Sequence, residues 1–487
     1  MSGAAALDGL LILETTNLRE TLRVIERNAS GIAFVVDGDR VLKGVVADGD
    51  VRRAILRGVS LDGQVSEFMT RSPVTARAGS SPEQILSVMS PRIRRLPLVD
   101  DGNRVVDYAS FEQGLRLPVA TPAFGGNELR YVSECVATNW ISSQGRFVGE
   151  FEQLFAGLVG AKHGIAVSNG TVALHLALVA GGIGPGDEVI VPTLTFVATA
   201  NVVRHAGATP VFVDSEPGTW NLDPEEVRSK LTARTRAIIP VHLYGHPADM
   251  DRIREIAQQH RLFVVEDAAE AHGALYKGTP VGAIGDVGCF SFFGNKIITT
   301  GEGGMLTTND DELADRARVL RDHGMSRQRK YWHEMVGYNY RLTNLQAAIG
   351  VAQVEQVDAF LKKRDAIAQS YAAALGHDAR MELPRESPWA RRVNWLYTLL
   401  LSEGIDRDRV VARLNERGID SRPAFVPVHT MPPYATGERF PVAESIARRG
   451  LSLPSSVGLE ASDIERVCNA LLACISVEAA EASVTSV

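Results

Sequence analysis

Beyond about residue 116 the chain alternates short apolar runs with stretches of helical period. The runs Glu188-Val-Ile-Val191, Pro210-Val-Phe-Val213, Ala237-Ile-Ile-Pro-Val241, Leu262-Phe-Val-Val265, Val287-Gly-Cys-Phe-Ser291 and Gly304-Met-Leu-Thr307 predict buried strands. Amphipathic stretches at Thr171–Val179, Asp249–His260 and Asp310–Arg321 predict helices between them. Continuous Val/Ile/Leu strands alternating with helices predict a mostly parallel sheet covered on both faces. A long helix is predicted near Leu345–Leu375. After it the buried runs thin out to Trp395–Leu401, followed by a helix at Arg407–Arg417, which suits a smaller α+β lobe.

Residues 1–115 read differently, as one unit used twice. In the first copy a helical stretch (Asn17–Asn28) leads to Gly31-Ile-Ala-Phe-Val-Val36, a turn at Asp37-Gly-Asp39, Leu42-Lys-Gly-Val-Val46 and a helix from Asp50. In the second, a helix near Pro82–Ser90 leads to Leu96-Pro-Leu-Val99, a turn at Asp100-Asp-Gly102 and Val105-Val106. One such unit cannot cover its own apolar face, so the copies are expected to pack together. Ser110 to Pro122, with Pro118, Pro122 and Gly125-Gly126, reads as the linker. The expected division is therefore 1–115, 116–375 and 376–487.

Composition narrows the classes. The 487 residues carry a formal net charge of −7, without the basic excess of a nucleic-acid-coating or membrane-surface protein. The four cysteines form no CxxC pair and have no partners at zinc spacing, so free thiols in a reducing cytoplasm are expected, and no metal site. The N-terminus has no basic n-region before Glu14, and no uncharged apolar run approaches the ~18 residues of a membrane span. A cytoplasmic protein with no nucleic-acid or membrane partner is the expectation.

Three segments carry candidate chemistry. Leu262–Gly273 is a buried strand ending in Glu266-Asp267, with Glu270 and His272 behind it. An acid there needs a cationic partner, although alone it is equally a turn cap. Phe290–Gly304 places Lys296 among Phe292, Phe293, Ile297 and Ile298. A lone lysine is ordinarily solvated, but a desolvated one becomes an amine nucleophile able to condense with an aldehyde. Ile165–His175 runs from a strand through Ser168-Asn-Gly-Thr171 into a helix, whose first N–H groups can hold an anion. Together these are the needs of pyridoxal 5′-phosphate: an acid for the ring nitrogen, a lysine for the aldehyde and a helix start with Thr171 and Ser291 for the phosphate.

With Asn139-Trp-Ile-Ser-Ser143, Val241-His-Leu-Tyr-Gly245, Tyr338-Asn-Tyr-Arg341 and Met431-Pro-Pro-Tyr434, residues 117–475 resemble the DegT/DnrJ/EryC1/StrS family of nucleotide-sugar aminotransferases. That resemblance implies the type I (aspartate-aminotransferase-like) α/β fold. It implies that Lys296 carries the cofactor, that Asp267 pairs with the ring nitrogen, and that Phe196 and Ala269 lie on opposite ring faces. Gly170, Thr171 and Ser291 would bind phosphate, with Asn339 of a second subunit, so a homodimer or higher homo-oligomer is implied. Glu270 would lie beside the ring hydroxyl. His429 and Arg422 would face the sugar or a partner, unless they serve as ordinary turn and surface residues. The implied reaction moves an amino group from L-glutamate, leaving 2-oxoglutarate, to a nucleotide-linked 4-keto-6-deoxy sugar, with GDP and UDP both open. Arg327-Gln-Arg-Lys330 and Arg391-Arg392 read as solvated, and His333 and His242 as structural.

Gly44-Val-Val-Ala-Asp-Gly-Asp-Val-Arg-Arg53 resembles the nucleotide loop of a CBS domain pair. The resemblance implies a ribose contact at Asp50 and a regulatory nucleotide. Ala47 stands where the pattern has a hydroxyl, and Arg104–Ser110 of the second copy lacks both acids, so Asp50 is equally a helix cap in a docking module. Two further readings compete with the transaminase: a sugar dehydratase, in which the lysine would be a histidine, and a nucleotide-sensing protein with a non-catalytic cofactor domain.

Overall fold

The computed structural model describes residues 7–28, 30–80, 82–89, 93, 95–110 and 117–485. Two compact units divide at Leu115/Arg116. Ser90 of the second expected helix and residues 111–116 of the expected linker lie outside the described residues.

In the first unit each copy contributes a three-stranded sheet: β1 (Leu11–Leu13), β2 (Ile32–Val36) and β3 (Leu42–Ala47), then β4 (Ala76–Arg77), β5 (Arg95–Val99) and β6 (Val105–Ser110). Phe34, Val36 and Leu42 of the first copy share a core with Val99 and Val105 of the second. The hairpin tips are stitched by Leu42 N–H to Asn103 O at 2.9 Å and Val105 N–H to Arg40 O at 2.9 Å. The helix expected from Asp50 begins two residues earlier, at Asp48. Asp50 is its third residue and its carboxylate reaches back to accept the Ala47 N–H, the return half of a capping box, which starts the helix before the acid.

The second unit is built on strands β7 (His163–Val167), β8 (Glu188–Pro192), β9 (Thr209–Val213), β10 (Thr235–Ile238) and β11 (Phe263–Asp267). After the hairpin β12 (Leu275–Tyr276) and β13 (Thr279–Pro280) come β14 (Val287–Ser291) and β15 (Gly304–Thr308). Seven of them form one sheet in the order β7-β15-β14-β11-β10-β8-β9, parallel except for β15, which opposes both its neighbours. Register across β14, β15 and β7 lines up Ser291 with Gly304 and Gly304 with Val167. It brings the helix start after β7 beside the end of β14. Below that edge Phe151, Phe155, Phe290 and Phe292 interlock, with ring centroids 4.8–5.0 Å apart for Phe155–Phe290, Phe151–Phe292 and Phe155–Phe292. Truncating one such ring costs roughly 3–5 kcal/mol.

The small lobe carries a four-stranded sheet of β16 (Met381–Glu382), β18 (Tyr397–Leu401), β20 (Gly450–Leu453) and β19 (Arg422–Pro423). A further strand, β17 (Ala390–Arg391), pairs with β12. Helices Val357–Leu375, Arg407–Glu416 and Ala461–Thr485 supply Tyr371, Leu414 and Leu471 to a core with Leu399, Leu401 and Leu451. No helix among the described residues is long and apolar enough to cross a membrane.

Two elements differ from expectation. The strand expected through Val241 stops at Ile238, because Pro240 has no N–H; pairing resumes as one bridge between Val241 and Asp267. The long helix is two, Asn344–Val354 and Val357–Leu375. At the break the Gln356 side chain donates to Ala352 O at 3.1 Å, taking the carbonyl that its own backbone N–H would use; that N–H turns to Gln353 O at 3.2 Å. Periodicity cannot register this substitution of a side-chain donor for a backbone one.

Candidate active site

The residues of interest gather where parallel strands end, the usual ligand edge of such sheets. Asp267 is the last residue of β11 and is buried. Its Oδ2 accepts the Thr199 hydroxyl at 2.7 Å and its Oδ1 the Ala269 N–H at 3.2 Å. Burial pushes its carboxyl above the usual range, and it makes no ion pair among the described residues. Glu266 points to the other face, as alternation along a strand requires. It is fully buried and saturated: Gly282, Ile284 and Gly285 N–H groups donate at 2.7–2.8 Å, and His242 Nε2 lies at 3.0 Å. His242 Nδ1 accepts from Ala248 N–H at 3.0 Å, which puts the ring proton on Nε2, facing Glu266. Burial alone would raise Glu266, yet these donors hold it below the usual carboxylate value. One acid of the pair is therefore closed off by the fold and the other is left with neutral donors only.

Lys296 follows β14 in a turn closed by its own N–H to Phe293 O at 2.9 Å. Burial lowers the proton affinity of its amine. Nζ lies 3.8 Å from Glu270 Oε1 and 3.9 Å from the centroid of the Trp395 ring. Glu270 is buried, accepts the Tyr244 N–H at 2.8 Å, and is pushed by burial to about 7. His272, ringed by Phe155, Phe290 and Phe292, is pushed by burial down to about 3 and stays neutral.

The third group is an anion cradle. Helix Gly170–Ala180 is capped by Asn169, whose side chain accepts Val172 N–H at 2.9 Å and leaves the N–H groups of Gly170 and Thr171 at the opening. The cradle admits no side chain at two positions. A Cβ on Gly170 would stand 2.6 Å from Ser291 Cβ, and one on Gly304 would stand 2.4 Å from Asn169 O. A buried acid without a cation, a desolvated amine and this cradle together fit pyridoxal phosphate.

The other expected residues are placed as follows. Phe196 is 58% exposed, in the segment between β8 and the helix Ala198–His205 that carries Thr199, and its ring centroid is 6.1 Å from that of Phe425. Ala269 is partly buried, one bond from the Asp267 carboxylate. Asn339 is exposed and accepts from Arg341 at 3.1–3.2 Å, so within one chain it is engaged elsewhere. Arg422 is exposed on β19. His429 is buried, with Nδ1 2.6 Å from Thr193 Oγ1 and Nε2 3.4 Å from Glu444 Oε1; with Arg407, Arg439 and Arg448 it lines a groove of about 560 Å³. Asp50, in the first unit, has both oxygens engaged, by Ala47 N–H at 2.9 Å and Arg53 at 2.6 Å. Arg392, read as solvated, is instead buried and donates to Arg385 O at 3.1 Å, because a turn folds over it. His333 Nδ1 bonds His323 O at 2.8 Å. Thr199, Tyr244 and Trp395 escaped the sequence reading. The signal available for Tyr244 was its place before Gly245, and the structure puts both residues in the left-handed region.

A sheet of this topology with an acid, a lysine and an anion cradle at one edge defines a type I pyridoxal-phosphate-dependent transferase. The chain matches the DegT/DnrJ/EryC1/StrS aminotransferase family over residues 122–472 and the CBS domain over 10–57 and 65–112. It is 54% identical over 363 residues to a GDP-perosamine synthase of Caulobacter vibrioides, covering 73% of this chain and 97% of that protein. It is 45% identical over 356 residues to one of Escherichia coli O157:H7, with the same coverage. The crystal structure of S. venezuelae DesV in complex with a ketimine intermediate superposes with a TM-score of 0.67 at 41% identity, over 71% of this chain and 93% of that one. The chain belongs to the DegT/DnrJ/EryC1/StrS aminotransferase family, and it is a pyridoxal-phosphate-dependent aminotransferase bearing a CBS pair.

Proposed function

We propose that the enzyme transfers the amino group of L-glutamate to C4 of GDP-4-keto-6-deoxy-D-mannose, giving GDP-perosamine. The observation that carries the reaction class is the buried Lys296 amine beside an acid-and-cradle pair at one sheet edge. The nucleotide sugar rests on the 54% and 45% identity to GDP-perosamine synthases.

Pyridoxal phosphate supplies an aldehyde that takes up an amine and a pyridinium ring that withdraws electrons from the carbon attached to it. Asp267, anchored by Thr199 and Ala269, holds a proton on the ring nitrogen. The Gly170 and Thr171 N–H groups and the Thr171 and Ser291 hydroxyls take the phosphate. Phe196 and Ala269 would hold the ring between them, and Glu270 would serve its hydroxyl. Lys296 Nζ would act as the base that takes the donor-carbon proton and, as the resulting ammonium, as the acid that gives it back, with the reverse order for the sugar. Asn339 of a second copy completes the phosphate site, which makes the working unit a homodimer or larger. His429 and Arg422 face the sugar end. Residues 116–375 form the cofactor domain and 376–487 the small lobe, while 1–115 form a CBS pair that binds a regulatory nucleotide through Asp50, whose exposed partner Arg53 would have to give way to the ribose. The protein acts in the cytoplasm.

The test is a product assay with L-glutamate and a panel of GDP- and UDP-4-keto sugars. Amination of the GDP-linked 4-keto-6-deoxymannose is expected; turnover of UDP sugars alone would overturn the nucleotide assignment. Lys296→Ala should retain cofactor without a covalent link and lose about 10²–10⁴-fold or more of its activity. Calorimetry on the full chain against a nucleotide panel tests the CBS reading, and silence from the whole panel would leave the module an assembly role.

A further inference from the structure

The Lys296 amine lies between two walls. One is the Glu270 carboxylate at 3.8 Å and the other is the face of the Trp395 indole, its centroid 3.9 Å from Nζ. Both walls are tied into the surrounding chain. Trp395 Nε1–H donates to Asn295 O at 2.8 Å, the residue next to the lysine, and Trp395 O accepts from the buried Arg364 guanidinium at 2.7 Å. Tyr244 keys both walls. Its ring is near-parallel to that of Trp395 (14°, centroids 6.3 Å apart), and its N–H is the donor to Glu270 Oε2 at 2.8 Å. It does so from the left-handed region, at φ 49° and ψ 26°, a conformation unusual for a tyrosine and maintained only where surrounding contacts over-determine it. Those contacts include Phe425, whose ring stacks at 5.3 Å and whose N–H donates to Tyr244 Oη at 3.0 Å.

We propose that Trp395 is a positioning residue for Lys296: with Glu270 it forms a two-sided cradle that makes the amine a stronger base and steadies the ammonium it becomes once it has taken the donor-carbon proton. An aromatic face attracts an ammonium group but offers no such attraction to a neutral amine, and the attraction is larger away from water. Burial pulls the other way, toward the neutral amine. The titratable groups that act on the amine are Glu270 and Asp267, both favouring its charge, while nearby His272 is kept neutral by burial and by the lysine charge itself. Trp395 is the uncharged member of this set, so its effect does not depend on the titration of a neighbour. The cradle parks the amine as a proton carrier beside the ring instead of letting it stray along the pocket.

The inference rests on Lys296 being the cofactor-bearing amine, and the test separates the two. Full-length apoenzyme is mixed with pyridoxal 5′-phosphate, and the rate of covalent capture is followed by absorbance across pH. Capture needs the neutral amine, so the midpoint reports the protonation of the amine. Trp395→Leu should lower that midpoint by about half to one pH unit, and Trp395→Phe, which keeps an aromatic face, should restore most of it. Because Trp395 is buried, an isosteric series guards against a misfolded variant: biosynthetic incorporation of mono-, di- and trifluorotryptophan, which replaces all five tryptophans, should lower the midpoint stepwise as the ring face loses electron density, and the same series in Trp395→Phe, which labels only the other four, should not. An unchanged midpoint through the fluorinated series, or equal shifts for Leu and Phe, overturns the cradle. Borohydride reduction and peptide mass mapping locate the linked lysine independently. A label away from Lys296 overturns both readings, whereas a label on Lys296 with a flat series overturns only this one.

Discussion

Two carboxylates, one in each unit, have opposite surroundings. Asp50 is closed by its own chain, with one oxygen on the Ala47 N–H and the other on Arg53. Asp267 is buried and is hydrogen-bonded only by a hydroxyl and an amide, with no cation in ion-pair contact among the described residues; the Lys296 charge acts on it only from farther off, and burial outweighs it. The difference is informative because burying an isolated charge is costly, whereas one matched by its own neighbours is at rest. Glu266, one residue before Asp267, makes the same point at closer range: four donors surround it, and its work is to hold β11 to the segment 282–285. An acid that the fold leaves short of partners marks where a ligand belongs.

The sharpest way to break this contrast is to neutralise the two adjacent acids separately. Asp267→Asn should leave apoprotein stability within about 1 kcal/mol of the parent, yet cut turnover by roughly 10²–10³-fold, read by product assay beside urea melts. Glu266→Gln should do the reverse in the apoprotein, costing about 3 kcal/mol because an amide –NH₂ replaces an acceptor among donors. If Asp267→Asn proved as destabilising as Glu266→Gln, the contrast would be lost.

A smaller effect tests Glu270. Its folded proton affinity, at about 7, lies above the ordinary carboxylate value of 4.5. Between these values the folded state binds more protons than the unfolded one, so the contribution of Glu270 is full below about 4.5 and declines as pH rises to about 7. The decline is at most about 3 kcal/mol. Apoenzyme stability measured at pH 5 and 7.5 should converge in Glu270→Gln. The smallest effect is expected at Asp50→Ala, about 1 kcal/mol or less by chemical denaturation, as suits a helix-capping group paired with an exposed arginine.

The sequence made the sheet legible because its strands are continuous apolar runs; it made Asp267 and Ser291 legible because each ends one, and Lys296 because it stands among Phe292, Phe293, Ile297 and Ile298 just beyond one. It concealed features in which distant segments meet. The Thr199 hydroxyl reaches Asp267 across 68 positions, and Trp395 lies over a lysine about a hundred residues earlier. Neither contact leaves a trace in local periodicity. Arg392 was misread for the same reason, since two adjacent arginines look solvated until a turn closes over one of them.

Arg364 carries a mechanical consequence. Its buried guanidinium grips the carbonyls of Asn394, Trp395 and Ser455 from the helix Val357–Leu375. Pulling that helix from these carbonyls would strip three acceptors at once from a buried cation. The guanidinium therefore acts as a rivet: it fixes the segment carrying Trp395 to the helix and, through Trp395, the wall beside Lys296.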